Sequence, residues 1–213
     1  MNVTKYEHAC MVVAKGNDRI VIDPGSFLAS LPESSGVVAV VLTHEHADHF
    51  SADRVAHLVE MNPDARLFGP QGVADAASAS GIEVEVVRDG DAIEVAPFSL
   101  RFFGEKHNVI HSSIPVIDNV GVLVDDEFYY GGDAYTVPGV PVSLLAAPVG
   151  APWLKIGEAM DYVLEVAPRR AFPVHDMTLS VAGKKLHADR LAWAVEQGGG
   201  EFFVLEPGES IDQ

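Results

Sequence analysis

The sequence predicts a layered α/β fold, in which helices cover sheets of strands. Segments with strand-like and helix-like patterns alternate in both halves of the chain, and a strand-rich stretch separates the halves. Glycine and proline are spread along the whole length, so no tract has the composition of a linker between domains. A chain of 213 residues is large enough for one sizeable core. We therefore expect a single domain that spans residues 1–213.

The first half predicts strands that alternate with two helices. Short apolar runs bounded by turn residues are typical of strands, and they occur at Ala9–Ala14, Arg19–Ile22, Val37–Leu42 and Arg66–Phe68. Since Val37–Leu42 is a continuous and largely β-branched run, we expect that strand to be buried on both faces. Ser51 is a typical N-cap residue for one helix, and Pro70–Ser80 predicts a second helix that Gly81 ends.

The middle of the chain predicts a β-hairpin. Ile82–Val87 and Ala92–Val95 flank the turn sequence Arg88-Asp89-Gly90-Asp91. Further strands are expected at Phe98–Gly104, Val120–Val124, Glu127–Tyr130, Ser143–Ala146, Ala171–Val174 and Phe202–Leu205. Ile156–Val166 and Lys184–Glu196 have helical patterns, and the glycines at 198–200 end the second of these helices.

The charge and the cysteine content limit the partners and the location. With 31 acidic and 14 basic residues, the net charge is −17, which repels nucleic acids and anionic membranes. We therefore expect a small-molecule substrate, no nucleic-acid partner and no membrane association. Cys10 is the only cysteine, so neither an intrachain disulfide nor a cysteine zinc cluster is possible. A reducing cytoplasm is the expected location, and no run approaches the ~20 apolar residues of a membrane span.

A histidine-rich segment directly follows the buried strand Val37–Leu42. His44 and His46 project to the same side if the backbone is extended, and Asp48 and His49 follow at the start of the next helix. Imidazole nitrogen and carboxylate oxygen suit zinc, manganese or iron better than copper(I). The segment therefore predicts two adjacent pockets for divalent metal ions.

Three more residues of ligand type occupy equivalent places in the chain. His107, Asp133 and His175 each come soon after a predicted strand, as His44 does. In α/β folds, ligands collect at the carboxyl ends of strands. We therefore expect four separate segments to meet at one edge of the molecule.

The sequence resembles the metallo-β-lactamase superfamily over nearly its whole length, and His44-Glu45-His46-Ala47-Asp48-His49 matches the superfamily's HxHxDH signature. The resemblance implies a four-layer αββα sandwich. It also implies that one metal is held by His44, His46 and His107, and a second by Asp48, His49 and His175. Asp133 would bridge the two metals. Asp23, in Ile22-Asp23-Pro24-Gly25, would support the metal-binding loops rather than bind metal.

Within the superfamily, the sequence is similar to the branch that contains L-ascorbate-6-phosphate lactonase, where Gly-His-Ala or Gly-His-Ser lies near the start. Here the motif reads Glu7-His8-Ala9, and His8 either lines the pocket or makes a structural hydrogen bond. His111 is an alternative to His107 as the third histidine, but His107 stands closer to its strand. Flavodiiron proteins have glutamate where this chain has His46, which favours hydrolysis over oxygen reduction.

These residues predict a hydrolase. Two divalent ions that share a water lower its pKa toward neutrality and supply a bridging hydroxide as the nucleophile. Asp48 would be the catalytic residue that orients this hydroxide or accepts its proton. The substrate would be a small ester, lactone or phosphodiester. The alternatives are a mononuclear iron oxidoreductase similar to the superfamily's sulfur dioxygenases and a non-catalytic metal-binding module.

Overall fold

The computed structural model describes residues 1–213. The strands are β1 (Asn2–Lys5), β2 (Met11–Lys15), β3 (Asp18–Ile22), β4 (Val37–Val41), β5 (Arg66–Gly69), β6 (Glu85–Val86), β7 (Ala92–Val95), β8 (Phe98–Phe103), β9 (Gly121–Val124), β10 (Phe128–Tyr130), β11 (Leu144–Pro148), β12 (Arg170–Val174), β13 (Glu201–Phe202) and β14 (Ser210–Asp212). The helices are α1 (Ala52–Met61), α2 (Gln71–Ser78), α3 (Ile156–Val166) and α4 (Val181–Gln197). None of these helices combines the length and the apolar character needed to cross a membrane.

The strands form two seven-stranded mixed sheets. The first has the order β14-β1-β2-β3-β4-β5-β6, and the second has the order β13-β12-β11-β10-β9-β8-β7. In the first sheet, pairing is antiparallel from β14 to β3 and parallel from β3 to β6. In the second, it is parallel from β13 to β10 and antiparallel from β10 to β7. The two sheets therefore repeat the same arrangement of strand directions.

Three hydrophobic clusters separate the four layers. A cluster of 24 buried residues fills the space between the sheets. A second packs α1 and α2 on the first sheet, and a third packs α3 and α4 on the other. Along β4, Ala39 and Val41 face the space between the sheets, whereas Val40 faces the helices. This confirms both the αββα sandwich and the expectation that this strand is buried on two faces.

The predicted hairpin around Arg88-Asp89-Gly90-Asp91 is wrong. β6 pairs in parallel with β5 in the first sheet, whereas β7 pairs with β8 in the second. Gly90 N–H donates to Phe102 O, and Phe102 N–H donates to Asp91 O, so the turn is already bonded to β8. The turn therefore carries the chain from one sheet to the other. The same turn sequence suits a hairpin within one sheet and a link between two sheets, so the local sequence does not distinguish them.

Other differences concern two strands that were not predicted and the ends of helices. The strands β1 and β14 were not expected, and they pair with each other at one edge of the first sheet. Helix α4 begins at Val181 rather than Lys184, because the Ser180 hydroxyl accepts a hydrogen bond from Gly183 N and caps the helix. Ser51 is the N-cap of α1 as expected, although its side chain makes no capping hydrogen bond.

Candidate metal centre

The four predicted segments meet at one edge of the sandwich, where β4, β8, β10 and β12 end. The structure brings all the predicted site residues together in two groups, and the ligand atoms within each group lie within 4.8 Å of one another. The first group contains His44, His46, His107 and Asp133. The second contains Asp48, His49, His175 and also His8.

The structure distinguishes between the two candidates for the third histidine. His107 is buried within the first group. His111 is exposed, and its ring Nδ1 lies 2.8 Å from the Ser113 hydroxyl. His107 is therefore the histidine whose position fits a ligand, and His111 lies outside the site.

The inward-facing nitrogens of the histidines make no hydrogen bond, although three of them face the carboxylate of Asp133. The Nε2 atoms of four buried side chains make no hydrogen bond, and they belong to His44, His49, His107 and His175. A buried polar atom without a partner costs about 1–3 kcal/mol. Burial also lowers the pKa of His44 well below its usual value, which favours the neutral imidazole that binds metal. Several such atoms facing one another fit a site built for cations.

The outward-facing nitrogens of these rings are hydrogen bonded. His49 Nδ1 lies 2.7 Å from Asp23 Oδ2, and His107 Nδ1 lies 2.5 Å from the Asn108 carbonyl oxygen. His175 Nδ1 is bonded to the Gly150 carbonyl oxygen. Because these oxygens accept hydrogen bonds, Nδ1 keeps its proton in each ring, and Nε2 is the nitrogen that can bind a metal. Burial lowers the pKa of His49 and His175, but the facing carboxylate of Asp133 more than offsets this and raises both pKa values, so metal binding there must displace the proton on Nε2.

Asp23 holds the signature segment in place. It is fully buried and has a positive φ of 47°. Its carboxylate accepts hydrogen bonds from Thr43 N at 2.8 Å, from Thr43 Oγ1 at 2.6 Å and from His49 Nδ1 at 2.7 Å. Asp23 is absent from both groups, so its position fits the supporting role implied by the resemblance.

Two glycines allow the loops of the site to approach closely. A Cβ on Gly25 would lie 1.8 Å from Asp48 O, so this loop packs directly on the backbone that carries Asp48 and His49. Gly132 has a φ of +64°, and a Cβ there would lie 2.4 Å from Asn119 Oδ1. That oxygen accepts a hydrogen bond from Asp133 N at 3.0 Å. Asn119 was not predicted as a site residue, because it belongs to no recognisable motif.

Asp133 lies between the two groups. Its Oδ2 is 3.3 Å from His107 Nε2 and 3.3 Å from His175 Nε2, while its Oδ1 is 3.3 Å from His49 Nε2. Burial raises the pKa of this carboxyl, but the facing histidines, above all His49 and His175, more than offset that effect and hold the pKa well below its usual value. The side chain is therefore ionised, and its position fits a carboxylate shared by two cations.

The structure assigns His8 a contact that the sequence left open. Met177 N donates to His8 Nδ1 at 3.4 Å, and burial lowers the pKa of His8. The neutral ring therefore carries its proton on Nε2, which lies 3.0 Å from Asp48 Oδ2. His8 thus donates to Asp48 and has no lone pair directed at a metal. Its φ of 61° indicates that the fold enforces this position.

An αββα sandwich whose edge carries two adjacent histidine–aspartate groups is the arrangement implied by the resemblance to the metallo-β-lactamase superfamily. The family profile described as "Beta-lactamase superfamily domain" matches residues 2–175. The protein called Rv0786c from Mycobacterium tuberculosis is 38% identical over 99% of this chain and 98% of its own length. A hydroxyacylglutathione hydrolase from Actinobacillus pleuropneumoniae is 28% identical over 79% of this chain and 65% of its own.

The fold agrees with solved structures. Igni18, a metallo hydrolase from Ignicoccus hospitalis, superimposes with a TM-score of 0.75 at 19% identity, covering 99% of this chain and 97% of its own. The chain belongs to the metallo-β-lactamase superfamily. Relatives and structural neighbours that are named hydrolases support a metallo-hydrolase at the level of the superfamily.

Proposed function

We propose that this protein is a hydrolase that binds two divalent metal ions and cleaves a small ester, lactone or phosphodiester. The proposal rests mainly on the four unpartnered Nε2 atoms that face the ionised Asp133. Nitrogen and oxygen donors without sulfur suit zinc, manganese or iron, and zinc is the ion that we propose. We further propose a cytoplasmic location, because the single cysteine is buried and free.

The two groups would divide the ions between them. His44, His46 and His107 would hold the first ion, and Asp48, His49 and His175 the second. Asp133 would contribute to both. Bound divalent ions lower the pKa of water and polarise the bond to be cleaved.

Asp48 is our candidate for the catalytic carboxylate. Its side chain is 25% exposed, whereas His49 and His175 beside it are buried, so Asp48 is on the open side of the second group. The hydrogen bond from His8 fixes one of its oxygens. A carboxylate in this position can orient an attacking water and accept its proton.

A carbonyl substrate is better supported than a phosphodiester. Segments next to site residues carry exposed apolar side chains, including Phe27, Val109 and Met177. The net charge of −17 disfavours polyanions, including nucleic acids. One group of relatives is named hydroxyacylglutathione hydrolase, which supports an acyl substrate. A lactone is included because the Glu7-His8-Ala9 motif resembles that of the ascorbate-6-phosphate lactonase branch.

The first experiment is metal analysis of protein purified without chelator, followed by a panel of esters, thioesters, lactones and phosphodiesters. We expect about two divalent ions per chain and a hydrolytic activity that a chelator removes and added metal restores. One iron per chain with oxygen consumption would support the oxidoreductase instead. A protein without bound metal or activity on the panel would contradict the hydrolase.

A matched pair of histidine variants tests the assignment of ligands. His107→Ala removes a ligand of the first ion, so we expect it to lose metal and activity. His111→Ala changes an exposed histidine outside the groups and should retain both. Loss of metal from the His111 variant alone would show that the third ligand is misassigned.

A further inference from the structure

Trp153 makes an unusual contact with the carboxylate between the two groups. It lies between β11 and α3, and only 7% of the residue is exposed. Its indole Nε1 donates to Asp133 Oδ2 at 2.7 Å, and Asp133 Oδ1 has no hydrogen-bond partner. A buried indole N–H needs an acceptor. Here the acceptor is the one side chain that faces both groups.

The indole ring lies close to both histidine–aspartate groups. The Trp153 ring centroid lies 6.0 Å from that of His107 in the first group and 6.4 Å from that of His175 in the second. The Trp153 ring also packs edge-on against the ring of Tyr135, with the two centroids 5.2 Å apart. The indole is therefore held by its surroundings, and its N–H direction is fixed relative to Asp133.

The chemistry of indole suits this position. Its N–H donates and never accepts, and it does not titrate, so it neither competes for a cation nor changes with pH. The bonded oxygen, Asp133 Oδ2, is the one that lies 3.3 Å from a histidine of each group. A phenylalanine would fill most of the same space but could not donate a hydrogen bond to the carboxylate.

We infer that Trp153 is a positioning residue for the metal centre. Its N–H fixes the orientation of the Asp133 carboxylate, so that the carboxylate can bind both ions at once. This inference rests on the proposed dinuclear site. Partners that orient metal ligands typically change metal affinity by about 10- to 100-fold. Because Asp133 faces both groups, loss of the indole N–H should weaken the binding of both ions rather than of one.

The test compares Trp153→Phe with Trp193→Phe, which changes the other tryptophan, an exposed residue of α4. Zinc is titrated into metal-free protein against a competing chelator, and circular dichroism checks folding. We expect Trp153→Phe to lower the affinity for each of the two zinc ions about 10- to 100-fold. Trp193→Phe should bind zinc like the unchanged protein. Unaltered zinc binding by Trp153→Phe would overturn the inference.

A double-mutant cycle separates positioning from a general structural effect. If Trp153 acts through Asp133, Trp153→Phe should have no further effect on zinc affinity in an Asp133→Ala background. An equal loss in both backgrounds would refute the positioning role. If Asp133→Ala alone binds both ions as tightly as the unchanged protein, the dinuclear site itself fails, and the positioning role fails with it.

Fluorescence gives a measurement that does not depend on the folding of Trp153→Phe. In Trp193→Phe, Trp153 is the only tryptophan, because the chain contains two. Its emission should change as zinc binds and level off at two ions per chain. Emission that stays constant while zinc binds would contradict contact between the indole and the metal centre.

Discussion

Replacing Asp23 with asparagine tests how the signature segment is held, because the change alters one atom and keeps the shape. The carboxylate offers two acceptor oxygens, one to Thr43 N and the other to Thr43 Oγ1 and His49 Nδ1. An amide offers only one acceptor oxygen. If its nitrogen faces His49, the imidazole must turn its Nδ1 lone pair to the amide and carry its proton on Nε2, where the metal is expected.

The magnitude follows from the bond that is lost. Binding metal forces His49 back to the Nδ1–H form, whose proton then faces another N–H. A hydrogen bond to a charged group contributes about 1.5–3 kcal/mol. Since 1.4 kcal/mol is a factor of ten, the affinity of the second ion should fall about 10- to 100-fold. If the amide is flipped, its NH2 group faces the Thr43 N–H instead, so that two donors oppose each other. The same energy is then lost from the free energy of unfolding.

Two measurements cover both orientations: zinc affinity by competitive titration and the free energy of unfolding of metal-free protein in urea. The matched control is Asp64→Asn, at an exposed residue distant in sequence from the site, which should change neither. If Asp23→Asn keeps the zinc affinity and the unfolding free energy of the unchanged protein, the supporting role of Asp23 is refuted.

Three further predictions concern the centre and its surroundings. Asp133→Ala should lower the affinity at both metal positions by more than the ~10- to 100-fold that is typical of losing a residue that only hydrogen bonds to a ligand. His175→Ala should lower the affinity at one position only. Native mass spectrometry of the protein counts the bound ions. Gly25→Ala should destabilise the fold by at least about 1–3 kcal/mol and reduce metal content, because its Cβ meets backbone at 1.8 Å. The control Gly157→Ala, with open space around its Cβ, should be neutral or slightly stabilising in thermal unfolding. Thiol-blocking reagents should leave metal content unchanged, since Cys10 is buried and absent from both groups; metal loss on modification would contradict this.

Much of the architecture could be predicted from the sequence, because its signals are local. Apolar periodicity located most strands and all four helices, and the continuous run in β4 indicated burial on two faces. The spacing from His44 to His49 brings four ligand-type side chains together within one short segment. His107, Asp133 and His175 were recognisable because each follows a strand, and strands of layered α/β folds end where ligands collect.

Only the tertiary structure decided how distant segments pair. The turn at Arg88-Asp89-Gly90-Asp91 has the chemistry of a hairpin, yet it links two sheets, because strand partners are chosen by packing across the sandwich. The bonds of His8 to Asp48 and of Trp153 to Asp133 span 40 and 20 residues of sequence. No local pattern marks such contacts. They exist because folding brings a donor from one segment to a buried carboxylate of another, where an unpaired polar group would be costly.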